Sequence, residues 1–314
     1  MPPLAVAPTT ATRLTMTTRD ICLALLVPLI WGFNFVVMKY AVTEASPMFL
    51  VTARFLLAAV PFIFFVPKPE ASWRVLIGYA LLFAIIKFGL LFTAFRWGAP
   101  AGLASVVLQM QAIITVALAL VLFAERPTKA EIAGLSVAAI GLAVIFSGLA
   151  GGPGVWAMAL VFTAATAWSF ANIVNKSAPK SNPIGFVVWT SAIAAALMLP
   201  IILVVDGVPS ITATMANMSL WGWGAVLYLA YPVSLFSGAI WSRLITCYPA
   251  ATVTPFALLT PAVGLLSSAI VFGERLSGTI LFGTAAICIG LAIITLTPRR
   301  QPAPNLPTPS EITS

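Results

Sequence analysis

Two stretches of the chain decide its fold, because the second repeats the first. Residues 98–146 read GAPAGLASVVLQMQAIITVALALVLFAERPTKAEIAGLSVAAIGLAVIF, and residues 247–295 read CYPAATVTPFALLTPAVGLLSSAIVFGERLSGTILFGTAAICIGLAIIT. Aligned at an offset of 149 residues without a gap, they share eleven identities, which indicates an internal repeat. The identities include Pro100/Pro249, Phe123/Phe272, Glu125-Arg126/Glu274-Arg275, Gly134/Gly283 and Gly141/Gly290.

A second match extends the repeat to the start of the chain. At an offset of 137 residues, the run Trp31, Phe33, Val37, Lys39 and Ala41 falls on Trp168, Phe170, Val174, Lys176 and Ala178. The repeating unit then contains five apolar segments. Because five is odd, the second copy must begin on the opposite side of a membrane from the first. The pattern therefore predicts two inverted halves.

The composition indicates an integral membrane protein. The chain has 314 residues, of which 61% are hydrophobic and 8% charged, whereas an ordinary soluble domain has about 25% charged residues. None of the apolar segments shows the strict alternation of a barrel strand, so we predict an all-α protein with ten transmembrane helices in two inverted five-helix repeats. The predicted segments are 21–41, 47–66, 73–95, 100–123, 131–150, 154–175, 183–205, 220–242, 249–272 and 278–297.

Several classes of chemistry are excluded by composition. The chain has no histidine, and its three cysteines, Cys22, Cys247 and Cys288, are far apart. Histidine-dependent catalytic triads and Cys-x-x-Cys zinc sites are therefore ruled out, and we expect neither a metal nor another cofactor. No phosphate-binding loop for ATP occurs in the sequence. The net charge of +8 comes from dispersed basic residues, which argues against nucleic acid as a partner and for a role in membrane orientation.

The basic residues predict the orientation. Placing the N-terminus in the cytoplasm puts three basic residues outside, namely Lys39, Arg96 and Arg275. The same orientation puts eleven inside, namely Arg13, Arg19, Lys68, Arg74, Arg126, Lys129, Lys176, Lys180, Arg243, Arg299 and Arg300. The positive-inside rule therefore predicts both termini in the cytoplasm of a plasma (inner) membrane protein. We expect disordered tails at 1–19 and 298–314, a first repeat at 20–150 and a second at 151–297.

An inverted repeat has a mechanical consequence. If the two halves adopt slightly different conformations, exchanging these conformations turns a cavity open to one side into a cavity open to the other. The sequence therefore favours a secondary transporter. Two other classes remain open, a membrane-embedded enzyme acting on lipid and a scaffold without transport activity. The enzyme would need paired acids near the membrane surface, and no such pair is evident in the sequence.

The repeated motifs resemble a known family. WGFNFVVMKYA (31–41), ARFLLAAVPFIFF (53–65), GAPAGLASVVLQMQA (98–112), FAERPT (123–128), NIVNK (172–176) and FGERLSG (272–278) are similar to the EamA branch of the drug/metabolite transporter superfamily. Within that branch the chain most resembles exporters of cysteine and O-acetylserine. The resemblance covers nearly all of the chain between the tails and implies export of amino-acid-like metabolites across the plasma membrane. Lys87 departs from it, because the resemblance implies an uncharged polar residue there.

Two basic residues lie inside predicted membrane segments without an acidic residue at the same depth. Arg54 is in the second segment and Lys87 is in the middle of the third. Charges at this depth are costly and usually functional, and two cations without a carboxylate suit a substrate that brings its own carboxylate, such as an amino acid or another small anionic metabolite. The alternatives are that Arg54 extends to the interface or pairs with Glu44, and that Lys87 binds backbone carbonyls or an asparagine.

Neutral polar residues complete the predicted binding site. Trp31 and Asn34 share a helix face, and Trp168, Asn172 and Asn175 recur on the equivalent sixth segment. Gln109 and Gln111 point in different directions on a regular helix, and we favour Gln109 because Ser105 lies one turn before it. The predicted substrate-binding residues are therefore Trp31, Asn34, Arg54, Lys87, Gln109, Trp168, Asn172 and Asn175. The alternative is that these amides only tie helices together.

The remaining repeated residues suggest structural roles. Gly134/Gly283 and Gly141/Gly290 favour close helix packing, with a homodimer contact as a second role left open. Glu125-Arg126 and Glu274-Arg275 are interpreted as ion pairs at helix ends or as parts of a gate. Lys39 and Lys176 lie near the ends of their segments, where we expect them to extend to the membrane surface.

Overall fold

The structure, a computed structural model, describes residues 16–122, 128–149, 154–176, 182–248, 250–274 and 277–296. Within these ranges all regular secondary structure is helical, which confirms the predicted all-α fold. The tails predicted at 1–19 and 298–314 lie outside the described residues, apart from residues 16–19. Thr18 and Arg19 belong to the first helix, so the disorder predicted for these two residues is wrong.

Each half contributes five long or apolar helices. The first half contains α1 (Thr18–Glu44), α2 (Pro47–Ala59), α3 (Trp73–Arg96), α4 in two parts (Ala101–Val107 and Met110–Leu122) and α5 (Lys129–Leu149). The second half contains α6 (Gly154–Lys176), α7 (Pro183–Val205), a connecting helix α8 (Gly207–Asn217), α9 (Leu220–Cys247), α10 in two parts (Ala250–Ala257 and Leu259–Phe272) and α11 (Gly278–Leu296). Nine helices of the described chain are long and apolar enough to cross a membrane, and α2 is the shorter tenth. The protein is a multi-pass membrane protein.

Helix α2 is shorter than the predicted segment 47–66. Its start is regular, because Ser46 Oγ accepts a hydrogen bond from the Phe49 N–H and Pro47 lies in the first turn. The helix ends at Ala59 because Pro61 has no N–H to continue the hydrogen-bond ladder. Hydrogen-bonded turns follow as far as Val66. At about 1.5 Å per residue, α2 covers about 20 Å of a hydrocarbon core that is about 30 Å thick.

The internal repeat is visible in the irregularities of the helices. Helix α3 contains a π-helical segment at Ala80–Lys87, and α9 contains one at Leu229–Phe236. Both boundaries of the two segments are 149 residues apart, which is the offset of the sequence repeat. The break in α4 at Gln109 likewise corresponds to the break in α10 at Leu258. π-helical turns occur often at functional sites, so the repeat points to α3 and α9 as elements of one.

Glycines on α5 and α11 establish that the halves are inverted. A Cβ added at Gly134 would lie 2.7 Å from the carbonyl oxygen of Gly290, and one at Gly141 would lie 2.6 Å from that of Gly283. The earlier glycine of α5 meets the later glycine of α11, so the two helices are antiparallel. Replacing each glycine by its equivalent in the other half gives the same two contacts, as expected for inverted repeats. These glycines are buried against each other within one chain, which confirms close packing and leaves them unavailable for the dimer contact considered above.

The other main contacts also join equivalent elements of opposite halves. Helix α1 packs against α10, and its counterpart α6 packs against α4, while α2 packs against its own counterpart α7. Because helices of each half pack against helices of the other, both halves enclose the centre of the bundle. The functional candidates lie in this central region.

Candidate functional site

A cavity of about 430 Å³ lies between the two halves. Eight helices contribute to its lining, so neither half forms it alone. Seven of the eight predicted site residues line it, namely Trp31, Asn34, Arg54, Lys87, Gln109, Trp168 and Asn172. Asn175 does not line the cavity, and its side chain is exposed. The volume is in the range typical of sites for small molecules.

Arg54 of α2 points into the cavity and is 3% exposed. Its Nη2 donates a hydrogen bond to Ser234 Oγ of α9 at 3.1 Å, and its Cζ lies 4.0 Å from the centroid of the Phe88 ring. Its Nε and Nη1 have no hydrogen-bond partner among the described residues. The two alternatives for Arg54 are therefore wrong, because the side chain is buried and Glu44 instead accepts hydrogen bonds from Tyr40 and Ser219.

Lys87 lies at the end of the π-helical segment of α3 and is 4% exposed. Aromatic rings surround its ammonium group, with Nζ at 3.7 Å from the ring centroid of Phe88, 4.0 Å from that of Trp168 and 4.4 Å from that of Phe83. Aromatic faces attract cations without neutralising them. No hydrogen bond from Lys87 to a carbonyl or an asparagine is found in the described part of the chain, so that alternative is also wrong.

The two cations dominate the electrostatics of the cavity. A charged side chain at the centre of a membrane helix costs about 2.5–3.5 kcal/mol on insertion scales, and here two charges of the same sign adjoin one phenylalanine. No aspartate or glutamate is among the described residues that line the cavity. The free donors of Arg54 are suited to a carboxylate or another oxyanion. The cavity can therefore bind an anion with charge-assisted hydrogen bonds.

A second part of the lining presents neutral acceptors. Asn34 Oδ1 and Thr260 Oγ1 are buried and have no partner among the described residues. The indole N–H of Trp31 donates to Ser237 Oγ at 2.7 Å, which fixes the ring at the cavity wall. Buried polar atoms are nearly always hydrogen-bonded in native proteins, so two unpaired ones that line a cavity point to a ligand. These acceptors can hold an ammonium or hydroxyl group of a ligand.

Asn172 has the structural role that was considered as the alternative. Its Nδ2 donates to Gln111 Oε1 at 2.7 Å and to Thr115 Oγ1 at 3.1 Å, and these bonds tie α6 to α4. Gln111 also lines the cavity together with Gln109. The prediction of Gln109 over Gln111 assumes a regular helix. The helix is instead interrupted at Leu108–Gln109 by bonds to the third preceding residue, such as Gln111 N–H to the Leu108 carbonyl.

Sequence reasoning missed most of the aromatic residues and hydroxyls of the site. Phe83, Phe88, Ser234 and Trp241 line the cavity but were not predicted. Phe83 lies four residues before Lys87, and this spacing on one helix face was a usable signal. Ser234 and Trp241 come from the second half, and no local pattern placed them beside Arg54 or Trp31.

A carboxylate closes one end of the bundle, which we call the distal end and which contains Lys39, Ala101 and Glu274. Glu274 Oε1 accepts hydrogen bonds from Lys39 Nζ at 2.5 Å and from the Ala101 N–H at 2.8 Å. Its Oε2 accepts from the Gly102 N–H at 3.1 Å and from Ser268 Oγ. A carboxylate at a helix N-terminus satisfies free N–H groups and the helix dipole. Lys39 therefore forms an ion pair. The prediction that it extends to the membrane surface is wrong.

The repeat predicts an equivalent of the Lys39–Glu274 ion pair, formed by Lys176 and Glu125, but the structure does not describe these side chains. Several residues of the predicted ion pairs lie outside the described residues, namely Glu125, Arg126 and Arg275, and so does the side chain of Lys176.

The opposite end of the bundle, where α1 begins, is called the proximal end. There, Arg243 Nη1 of α9 donates to Asp20 Oδ1 of α1 at 2.8 Å. Cavity residues such as Tyr79, Thr190 and Asn172 lie in the proximal halves of their helices. The cavity therefore extends from the centre toward the proximal end, and Glu274 closes the distal end.

Glu274 is held in its charged form. Burial raises its pKa, but hydrogen bonds from Lys39, from Ser268 and from two backbone N–H groups outweigh this, and the pKa lies below its usual value. A carboxylate with a lowered pKa in the folded state stabilises the fold above its unfolded pKa, and this contribution is lost as pH falls through the folded value. We therefore expect the distal contacts to be unaffected by pH between about 5 and 8.

Glu274→Gln is expected to open the distal end. The change removes the charge that binds Lys39, so the thiol of an added Ala99→Cys substitution, at a buried position two residues before Ala101, should react about tenfold faster with a membrane-impermeant reagent. The reaction rate is measured by mass shift in cells. Glu70→Gln is the matched control, because Glu70 is exposed and lies outside the distal end. Equal labelling in both variants would contradict the role of Glu274.

Known proteins are similar to this chain in sequence and in fold. The EamA-like transporter family matches the chain twice, at residues 18–147 and 155–296. A probable amino-acid metabolite efflux pump of Salmonella typhimurium strain LT2 is 38% identical over 284 residues, covering 88% of this chain and 95% of its own. A protein with the same name from Escherichia coli strain K12 is 35% identical with the same coverage. A crystal structure with 21% identity and a TM-score of 0.54 covers 90% of this chain and 98% of its own, and supports the fold alone.

An inverted bundle around a central cavity, with relatives named as efflux pumps, defines a membrane transporter. The chain belongs to the EamA-like transporter family. This confirms the family suggested by the motifs at 31–41, 98–112 and 272–278.

Proposed function

We propose that this transporter exports small amino-acid-like metabolites that carry a carboxylate, across the plasma membrane and by alternating access. The observation that carries the proposal is the cavity between the inverted halves, where the buried donors of Arg54 have no carboxylate to bind among the described residues. The names of the two related efflux pumps support the amino-acid-like class. Cysteine and O-acetylserine, which the sequence resemblance implies, belong to this class.

The direction of transport follows from the predicted orientation. With both termini in the cytoplasm, the proximal end of the bundle faces the cytoplasm and the distal end faces outward. The cavity then receives substrate from the cytoplasm while the Lys39–Glu274 ion pair closes the outside. Exchange of the conformations of the two halves opens the distal end and closes the proximal end.

The driving force that we propose is exchange or the gradient of the substrate itself. Proton-coupled transporters commonly use a carboxylate or histidine at membrane depth, whereas the chain has no histidine and the described cavity lining has no carboxylate. A pH gradient across proteoliposomes is therefore expected to change the initial uptake rate by less than about twofold. Uptake of labelled substrate with and without the gradient, at equal internal pH, measures this. A rate that follows the proton gradient would contradict the proposal.

The two alternatives predict different chemistry. An enzyme acting on lipid would need acidic residues near the membrane surface to hold a metal or act as a general base, whereas the described cavity lining offers cations and amides. This favours transport. A transporter of another small anionic metabolite would use the same cations, and it differs from our proposal only in the substrate.

Export can be tested in cells and in vesicles. Cells that overproduce the protein are expected to release amino-acid-like metabolites into the medium, and metabolite profiling against cells without the protein identifies them. Counterflow of the identified compound in proteoliposomes then shows that the protein itself carries it. If the released compounds lack a carboxylate, or if purified protein gives no counterflow, the proposed function is wrong.

A further inference from the structure

The cavity contains two buried cations, and a substrate with a single carboxylate can balance only one of them. Arg54 and Lys87 are both at least nine-tenths buried, and both approach the ring centroid of Phe88 to within 4.0 Å. The described lining contains no acidic residue to balance either charge. A ligand with one anionic group can neutralise only one of the two cations and leaves the other buried and unpaired, which is unfavourable.

The surroundings of the two cations differ in a way that suits two separate anionic groups. Arg54 keeps Nε and Nη1 free for an oxyanion, while its Nη2 is bound to Ser234. Lys87 is positioned by the rings of Phe83, Phe88 and Trp168, which leave its ammonium group without a hydrogen-bond acceptor in the described chain. Because both charges flank one ring, a single small molecule can contact both.

We infer that the preferred substrate is an amino-acid-like metabolite with two anionic groups. One carboxylate binds the free donors of Arg54, and the second anionic group binds Lys87. This inference rests on the proposed function, whose substrate class it narrows. A zwitterion such as cysteine or O-acetylserine brings one carboxylate to two cations and is therefore a weaker ligand. The second anionic group is a carboxylate, as in acidic amino acids, or a phosphate ester, and the experiment below distinguishes these.

The ammonium group of such a substrate has a place that needs no acidic residue. Asn34 Oδ1 and Thr260 Oγ1 are buried acceptors without a partner among the described residues. Both residues line the same cavity as the two cations, as does Trp31. Amide and hydroxyl oxygens and aromatic faces bind an ammonium group without adding negative charge. The site thus separates two anion positions from a neutral position.

Counterflow with matched pairs of compounds tests the inference. Glutamate and glutamine have nearly the same shape and differ by one charge, and O-phosphoserine and O-acetylserine compare a phosphate with a neutral ester. Purified wild-type protein in proteoliposomes is expected to carry the acidic member of at least one pair about tenfold faster. A preference in one pair alone identifies the second anionic group. Equal rates in both pairs, or faster transport of the neutral members, would overturn the inference.

Substitution of Lys87 tests where the second anion binds. Lys87→Gln is expected to reduce the tenfold preference to near equality, whereas Lys87→Arg keeps the charge and the preference. A purely structural defect would slow both members of a pair alike and leave their ratio unchanged, so the ratio separates the two effects. A full preference in Lys87→Gln would overturn the inference.

The test also separates this inference from the proposed function. If wild-type protein carries glutamine or O-acetylserine as well as their acidic partners, export of amino-acid-like metabolites stands and the requirement for two anionic groups falls. If none of the four compounds and no released carboxylate-bearing metabolite is carried, the proposed function fails and the inference fails with it.

Discussion

Arg54→Gln is expected to reduce transport by about 100-fold. The substitution keeps a hydrogen-bonding side chain in the cavity but removes the charge and the free Nε and Nη1 donors. Loss of one partner of a buried, charged hydrogen bond costs about 2–5 kcal/mol, and each 1.4 kcal/mol corresponds to about a factor of ten. The initial rate of counterflow in proteoliposomes, divided by the amount of inserted protein, measures the loss.

Two controls make the Arg54 result specific. Arg54→Lys keeps the charge but loses the planar donor arrangement, so we expect an intermediate rate, about tenfold below wild type. Removal of a buried charge does not harm membrane insertion, because uncharged residues insert at lower cost. Arg54→Gln should therefore elute from size-exclusion chromatography as wild type does. Transport by Arg54→Gln at the wild-type rate would exclude Arg54 from substrate binding.

Gly141→Leu is expected to cause a large loss of stability, because α5 packs closely on α11 at this residue. A Cβ at this position would lie 2.6 Å from the Gly283 carbonyl oxygen and 2.9 Å from the Ile287 backbone nitrogen. Backbone atoms cannot move aside as a flexible side chain does, so α5 and α11 must separate. Overpacking typically costs about 1–3 kcal/mol, and the backbone clash places this change at the upper end, which lowers Tm by about 10 °C.

The control for Gly141 is the same substitution at an open position. Gly224 of α9 is exposed, and nothing lies within 4 Å of the position of its Cβ, so Gly224→Leu should melt within about 2 °C of wild type. Gly283→Leu meets the Gly141 carbonyl oxygen at 2.7 Å and should match Gly141→Leu. Melting is followed by size-exclusion chromatography of heated, solubilised protein. Equal Tm values for Gly141→Leu and Gly224→Leu would show that α5 and α11 do not pack as described.

Most of the helices could be predicted from the sequence because each is a long apolar stretch. The predicted segments 73–95, 154–175 and 183–205 differ by few residues from helices α3, α6 and α7. The exceptions have local causes. Pro61 shortened α2, and the connection after Val205 formed the unpredicted helix α8, none of whose side chains is buried.

The candidate site was predictable only in part. Buried charge is rare enough in an apolar segment to identify Arg54 and Lys87 from composition and position alone. Their surroundings were not predictable, because the interruption of α4 brought Gln111 to the cavity beside Gln109. Asn175 was placed on the cavity by helical spacing, but its side chain is exposed. Helical spacing predicts which residues share a face of a helix. It does not predict how much of that face lines the cavity.

The all-helical membrane fold, the five-segment repeat and its inversion can be predicted from the sequence alone, because hydropathy, the repeat offset and the odd number of spans are properties of the order of residues. Three contacts become evident only in the folded protein, namely Arg54 with Ser234, Lys87 with Trp168, and Lys39 with Glu274. These partners are far apart in the chain. Their contacts depend on how the two halves pack, and no local pattern of residues records that packing.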